Sequence, residues 1–414
     1  MAHGRQIAVC VLIPLPGKYV VLIVTLAFGI HFSVRRMSGK SRRKTKRLLL
    51  VPFIDEGMQY ASSVRDMKIA FPMFGMNKVG GNKVIVRLAD VLCNRGHEVS
   101  IVIPRKRASS VLRTLAEIVE VEPFPLLKYS LPTIMPAASF PLAKKLRGFD
   151  AIIANYAPTC LPTKLADGEE VKQYYLVQHD ETKFFSRFSL EYWVTRLSYR
   201  AFESGRILVV SKWLQDLIRK RSGIEATLVP PGIDHDVFYP RKRSAHSGSQ
   251  ILVLARDEKW RGMSVFIEAM EIVTRKVPDV MILAAGQSSK RYKTGCLIEY
   301  VQPSDAQLAE LYSSCDVFVL PSFVEGLPVP PLEAMSCGDA VVVTDCLGTR
   351  DYAVDGHNCL VVPPRNPSSL SDAILRILGE NGLAERLRRN GPSSAASWTY
   401  ERMGRLFVEK LESD

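Results

Sequence analysis

Asp316-Val317-Phe318-Val319-Leu320-Pro321-Ser322-Phe323-Val324-Glu325-Gly326-Leu327-Pro328-Val329-Pro330-Pro331-Leu332-Glu333-Ala334-Met335 holds a strand, a turn and a helix start in one run. Residues 316–320 are mostly β-branched or aromatic and read as a buried strand. Gly326 and the prolines around it break the pattern. Pro331 suits the first turn of a helix, and from Leu332 onward the chain is apolar and helical. The loop between the two elements lies at the strand's carboxyl end, where the open N–H groups of a helix start favour an anion such as phosphate. Glu325 and Glu333 stand eight positions apart at that mouth. The spacing alone means little; two glutamates bracketing a Gly/Pro turn between strand and helix are far more specific.

The same alternation extends in both directions. Residues 68–72 read as a strand, 82–94 as a helix with Val84, Ile85, Leu88, Ala89, Val91 and Leu92 on one face, and 98–103 as the next strand. Residues 150–154, 173–178 and 206–211 continue the series. A polar stretch at 240–249 reads as a linker, after which strands at 250–255, 280–285, 316–320 and 340–344 alternate with helices at 264–276 and 304–314. Strands joined by helices imply parallel sheets covered on both faces. The expected architecture is therefore α/β, two doubly wound Rossmann-like domains facing each other across a cleft. Residues 67–232 form the first domain, 233–396 the second, and 397–414 a last helix packing across them.

Composition bounds the rest. A chain of 414 residues exceeds what one core usually serves. At 47% hydrophobic and 23% charged it is ordinarily globular. The eight cysteines form no C-x-x-C pair, which suits reduced thiols in the cytoplasm. Of the formal charge of +13, residues 1–66 carry +8 (11 Lys/Arg against 3 Asp/Glu), so a nucleic-acid-binding face on the main body is excluded. Those residues run apolar at 7–13 and 19–34, then basic from Arg35 to Arg47. They read either as a tail attaching the protein to the cytoplasmic face of a membrane or as an extension ahead of a true start at Met67. Sixteen apolar residues fall short of the roughly 20 needed to span a bilayer.

The motif from Pro321 to Met335 resembles the Glu-x7-Glu signature of the family 4 glycosyltransferases of GT-B fold, and the likeness extends from Met67 to the C-terminus. It implies a retaining glycosyltransferase of hexosyltransferase type, with a nucleotide diphosphate sugar as donor substrate, no further cofactor and no metal, acting on a glycan or lipid-linked acceptor. By resemblance Glu325 contacts the donor sugar, with Gly326 and Leu327 beside it, and Glu333 binds the ribose. Pro328 stands where many members have glycine, removing one N–H. Arg256 and Arg261, in the stretch 254–262, match the two cations that hold the donor phosphates, with Arg261 in place of the usual lysine. Gly80 and Gly81 match the family's phosphate-approaching Gly-Gly loop in Lys78-Val79-Gly80-Gly81-Asn82. His179, in Gln178-His179-Asp180-Glu181, matches the active-site histidine, and Asp180 either orients it or binds acceptor. His97 reads as structural, and Gly232 and Asp234 as hinge residues. A basic patch of Arg105-Lys106-Arg107 and Lys144-Lys145-Arg147, with Phe140, is a candidate membrane surface. The Gln-His-Asp-Glu and Gly-Gly-Asn elements are similar to those of bacterial surface-polysaccharide transferases, some of which move rhamnose. An epimerase of the same fold, or a catalytically dead carbohydrate-binding protein, are the alternatives.

Overall fold

The computed structural model describes residues 66–76, 80–105, 112–122, 139–166, 170–243, 245–286 and 301–414, with the backbone alone of 7–15, 18–26 and 297–300. The chain divides into two compact units, Met1–Ser63 and Val64–Asp414. In the smaller, β1 (Ile7–Leu15) pairs antiparallel with β2 (Lys18–Leu26). The stretch that could have been a membrane span is thus a strand over its first part, in keeping with its β-branched content. Among the described residues no helix is long and apolar enough to cross a membrane. The basic run from Arg35 to Arg47 lies outside the described residues.

The larger unit holds two parallel sheets. The first contains β3 (Lys68–Pro72), β4 (Glu98–Pro104), β5 (Glu117–Val121), β6 (Ala151–Ala154), β7 (Lys172–Val177), β8 (Ile207–Val209) and β9 (Thr227–Leu228), in the order 5-4-3-6-7-8-9. The second contains β10 (Gln250–Leu254), β11 (Met281–Ala285), β12 (Leu297–Val301), β13 (Val317–Leu320), β14 (Val341–Thr344) and β15 (Leu360–Val362), in the order 12-11-10-13-14-15. Each sheet winds outward one way from its first strand, then reverses, which is the doubly wound pattern.

Helices cover both faces. In the first half they are α1 (Gly80–Asn94), α2 (Ser139–Lys145), α3 (Ala157–Leu165), α4 (Leu190–Ser198) and α5 (Lys212–Ser222). In the second they are α6 (Met263–Lys276), α7 (Asp305–Ser314), α8 (Pro330–Ser336), α9 (Pro367–Gly379) and α10 (Leu383–Ala395), with α11 (Tyr400–Ser413) closing the chain. Local signals set several of their ends. Ser304 and Gln307 form a capping box on α7, while Asn366 and Thr399 accept N–H bonds at the starts of α9 and α11.

The period-2 alternation of each strand sorts its side chains between cores. Ile69 and Phe71 of β3 enter one apolar cluster and Ala70 another on the far side. In β10, Leu252 joins the first cluster, while Ile251 and Val253 meet Phe266 of α6 and Ile374 of α9. The first cluster therefore runs without interruption from β3 to Phe318 and Leu332 in the second half. At roughly 25 cal/mol per Å² of apolar surface, that shared burial joins the halves more strongly than any ion pair between them.

The chain crosses between halves twice at one point. Ile233 bridges Thr399 in parallel and its N–H bonds Trp398 O at 2.9 Å. A Cβ on Gly232 would lie 2.1 Å from the Thr399 carbonyl carbon, so only glycine permits the crossing. α11 then lies on the first half: Phe407 meets Phe71 at 6.2 Å and Asp414 accepts a 2.7 Å bond from the Tyr174 hydroxyl.

Candidate functional site

A doubly wound sheet opens a crevice at the carboxyl ends of its strands, where the winding reverses. In the second half that point lies between β10 and β13. Arg256 follows β10, and the loop carrying Ser322 and Glu325 follows β13. Glu325 is only 5% exposed and is held from several sides. Its carboxylate forms an ion pair with Arg261 and accepts a 2.8 Å bond from the Ser322 hydroxyl, and its N–H donates to Cys346 O at 3.0 Å. Arg261 is placed by Gly262, whose φ of +73° is left-handed and whose missing Cβ would lie 1.9 Å from Pro321 O.

That pairing separates the two predicted phosphate cations. Arg261 is already matched by a buried carboxylate. Arg256, half-buried, makes no ion pair among the described residues. Burial first, and then the neighbouring Arg261, pull its guanidinium below the ordinary value. It is the cation most in need of an anion.

Glu333, on α8, is buried, and that burial raises its carboxyl to about 7 against the countering charge of Lys83. Lys83, on α1 of the first half, lies 2.8 Å from Asp305 and 3.9 Å from Glu333. The start of α8 offers fewer open N–H groups to an anion than expected. Pro330 and Pro331 have no N–H to offer, and the Glu333 N–H bonds Val329 O at 3.0 Å. Leu327 is buried beside this loop, and Pro328 accepts a 3.0 Å bond from the Tyr352 hydroxyl through its carbonyl.

In the first half, Gly80 and Gly81 are the opening residues of α1 rather than a loop before it, so the helix begins two residues earlier than its apolar face suggests. Lys78 and Val79 lie outside the described residues. Nothing lies within 4 Å of a Cβ on Gly80, and Gly81 would meet only the Gln178 amide at 3.4 Å.

His179 follows β7, with Nε2 3.3 Å from Val324 O, the carbonyl next to Glu325. Its Nδ1 is buried and unpartnered. Its ring lies 5.0 Å from Phe184, which lies 5.2 Å from Trp260.

Asp180 does neither of the things expected of it. It is 1% exposed, takes two bonds from Arg221 at 2.6 and 2.9 Å, and accepts from Thr182 at 2.6 Å. It anchors the turn to α5 rather than orienting His179, because the bidentate arginine satisfies both its oxygens. Its neighbour Glu181, unassigned by sequence, accepts from Ala157 N at the start of α3 and from the Tyr175 hydroxyl, at 2.7 and 2.9 Å. Burial raises that carboxyl to about 8. His97 accepts from Met67 N at 3.4 Å and is buried away from the crevice. Asp234 pairs at 3.0 Å with Arg87 of α1. Of the expected membrane patch, Arg105 is countered by Glu120 and Glu122, Lys106 and Arg107 lie outside the described residues, and Lys144, Lys145, Arg147 and Phe140 are exposed.

The two walls meet at Gly326. A Cβ there would lie 1.7 Å from Gln178 O. The Gly326 carbonyl accepts a 2.7 Å bond from the Trp213 indole of α5. Trp213, Lys83 and Arg87 thus complete the junction, and nothing in their local sequence sets them apart from other surface-facing helix residues. Ser322 stood inside the quoted motif and could have been found there.

Two family models match in succession, Glycosyltransferase Family 4 over residues 79–237 and Glycosyl transferases group 1 over residues 239–394. The chain belongs to glycosyltransferase family 4. The division between the matches falls at the Gly232–Phe238 crossover, so the first model takes the first half from α1 onward and the second takes the whole second sheet. Among curated relatives, this family 4 chain is 28% identical over 204 residues to the D-inositol 3-phosphate glycosyltransferase of Paenarthrobacter aurescens, covering 44% of this chain and 50% of the relative. It is 28% identical over 233 residues to the phosphatidyl-myo-inositol mannosyltransferase of Mycobacterium tuberculosis, covering 50% and 59%. The chain thus spans about half the length of the curated relatives it matches. A sucrose-phosphate synthase from Thermosynechococcus elongatus superposes with a TM-score of 0.71 at 19% identity, over 84% of this chain and all of that one. That likeness establishes the GT-B fold.

Proposed function

We propose that this chain transfers a glycosyl group from a nucleoside diphosphate sugar to a saccharide or lipid-linked acceptor, retaining the anomeric configuration and needing no divalent metal. The observation that carries the reading is the meeting of His179 and Glu325. From the first half, His179 Nε2 lies 3.3 Å from Val324 O, the carbonyl next to Glu325, whose buried carboxylate is held by Ser322 and Arg261 of the second. A sugar seated there has hydroxyls to match both.

Charge fits the leaving group. Arg256, which makes no ion pair among the described residues, supplies positive charge for a departing diphosphate, which needs such stabilisation as the glycosidic bond breaks. In a same-face displacement the bond to the diphosphate lengthens first, giving oxocarbenium character. The acceptor hydroxyl then attacks from that side and passes its proton to the departing phosphate oxygen. Glu325 and His179 hold sugar hydroxyls meanwhile, and Glu333 accepts from the ribose. The six described cysteines are all free thiols, in keeping with a cytoplasmic setting. The mycobacterial relative, named for transfer to a phosphatidylinositol, supports a lipid-linked acceptor here.

Glu325→Ala should abolish transfer while the protein keeps its circular dichroism and cooperative melt. Wild-type turnover by the folded variant would sink the assignment. So would acceptor-independent conversion of the donor into a different free nucleotide sugar.

A further inference from the structure

Phe184 and Trp260 are large aromatic side chains packed outside the cores. Each is half-buried, and neither belongs to any of the three apolar clusters of the described residues. What they touch is each other and the site. The Phe184 ring lies 5.0 Å from the His179 imidazole at 33°, and 5.2 Å from the Trp260 ring at 30°. Three rings thus stand in series, two from the first half and one from the second. Tilted pairs of this kind attract beyond the area they bury.

The backbone at each end of the series is fixed. His179 leads into a 3₁₀ turn, Glu181–Phe184, whose start is tied to the first half. Asp180 takes two bonds from Arg221, and the Glu181 carboxyl accepts from Ala157 N and from the Tyr175 hydroxyl. In the second half, the Trp260 carbonyl accepts a 2.7 Å bond from Phe323 N, in the loop that carries Glu325. The next residue is Arg261, the ion-pair partner of Glu325. The rings themselves have few polar anchors. His179 Nε2 lies 3.3 Å from Val324 O, while its Nδ1 and the Trp260 indole nitrogen are buried without a partner. A single polar contact leaves an imidazole free to swing about it, so the face of Phe184 is what sets the ring plane.

We propose that Phe184 is a positioning residue for glycosyl transfer. Its ring holds the His179 imidazole in plane and ties it, through Trp260, to the loop that carries Arg261 and Glu325. The two groups that hold one sugar from opposite halves thereby stay in register. Phe184 acts through His179 and is assigned no contact with substrate. The consequence in rate rests on the glycosyl-transfer reading; the ring geometry does not.

The test is a double-mutant cycle on the full chain, with the donor chosen among UDP-, GDP- and dTDP-sugars as the one that most raises the melting temperature. Phe184→Leu and Phe184→Met both remove the ring and keep most of the apolar bulk, so one misfolded variant leaves the other to read. Their kcat, from initial rates of nucleoside diphosphate release, should fall roughly tenfold, with the donor Kd by calorimetry held within about twofold. Phe184→Tyr keeps the ring and should restore most of the loss. Beside His179→Ala, Phe184→Leu should cost nothing further, because the group it positions is gone; a merely structural role would lower both backgrounds alike. The contact also has its own signature by NMR. The His179 imidazole protons, assigned by their loss in His179→Ala, should carry an upfield ring-current shift that Phe184→Leu removes and Phe184→Tyr keeps. Additive losses in the double variant, unchanged kcat without the ring, or a His179 signal that Phe184→Leu leaves in place would each overturn the proposal. Absence of diphosphate release by the wild type would instead overturn the transfer reading, and the ring-current shift would still decide whether Phe184 holds the imidazole.

Discussion

Gly326→Ala tests whether the crevice is assembled as described. The new methyl carbon would lie 1.7 Å from Gln178 O, whereas an ordinary contact begins near 3.4 Å. The loop must therefore move by roughly 1.5 Å away from the first sheet. It has no room to retreat, because Gly348 backs it so closely that a Cβ there would lie 2.3 Å from Gly326 O. The halves must part instead. Parting stretches the Trp213 bond to Gly326 O, now 2.7 Å, and the His179 contact with Val324 O, now 3.3 Å. Two such bonds are worth about 2–3 kcal/mol together. A displacement near 1 Å at a reacting centre costs about 100-fold in rate, the same magnitude by an independent route. We expect kcat/KM for transfer to fall about 100-fold or more. The melting temperature should fall as well, because parting the halves also opens the apolar cluster they share. Initial rates of nucleotide diphosphate release, beside a thermal melt, measure both. Activity within threefold of wild type in a folded variant would refute the reasoning, since Gly326 and Gln178 could not then need to touch during turnover.

Further expectations follow from the charges. Arg256→Gln should weaken donor binding about 10- to 100-fold by calorimetry without lowering the melt, because the lost charge repels Arg261 and holds no partner. Glu333, raised to about 7 by burial, should make donor affinity fall as pH drops from 8 to 6, and Glu333→Gln should flatten that profile. The same shift contributes stability that is full below the unfolded glutamate value and lost as pH rises through about 7, so Glu333→Gln should also reduce the decline of the melt over that range. Asp180→Asn breaks a buried bidentate pair and should cost about 3 kcal/mol of stability while leaving turnover per folded molecule intact; a selective loss of kcat would restore Asp180 to the site.

Strand positions were legible because parallel strands bury both faces and stand out as short apolar runs, such as Val317–Leu320. Glu117–Val121 was not, for the opposite reason. It is the edge strand of the first sheet, carries glutamates at 117 and 120 among three β-branched residues, and looks like any surface segment. At the site, the Glu325 loop could be placed because its glycine and prolines fix it at a strand end. The partner of Glu325 could not. Arg261 and Arg256 are both cations in one loop, and only the fold reveals that Ser322 and Arg261 converge on the carboxylate and leave Arg256 alone. Sequence supplied the charges; their pairing is a property of three-dimensional distance.

The helix α4 states the limit most sharply. A 3.6-residue period shows that a segment has an apolar face, and the inference that this face is buried is a separate step, valid when another element is there to cover it. At α1 the step succeeds, because Val84, Ile85, Leu88, Val91 and Leu92 all meet the core. At α4 it would fail, because the space beneath the helix takes Thr195 and Ser198 while Leu190, Trp193 and Leu197 face outward. Polar residues on the inner side cost little there, since Ser198 donates a 2.8 Å bond to Thr195 O. Nothing in the protein's own packing requires leucine and tryptophan on the outer side.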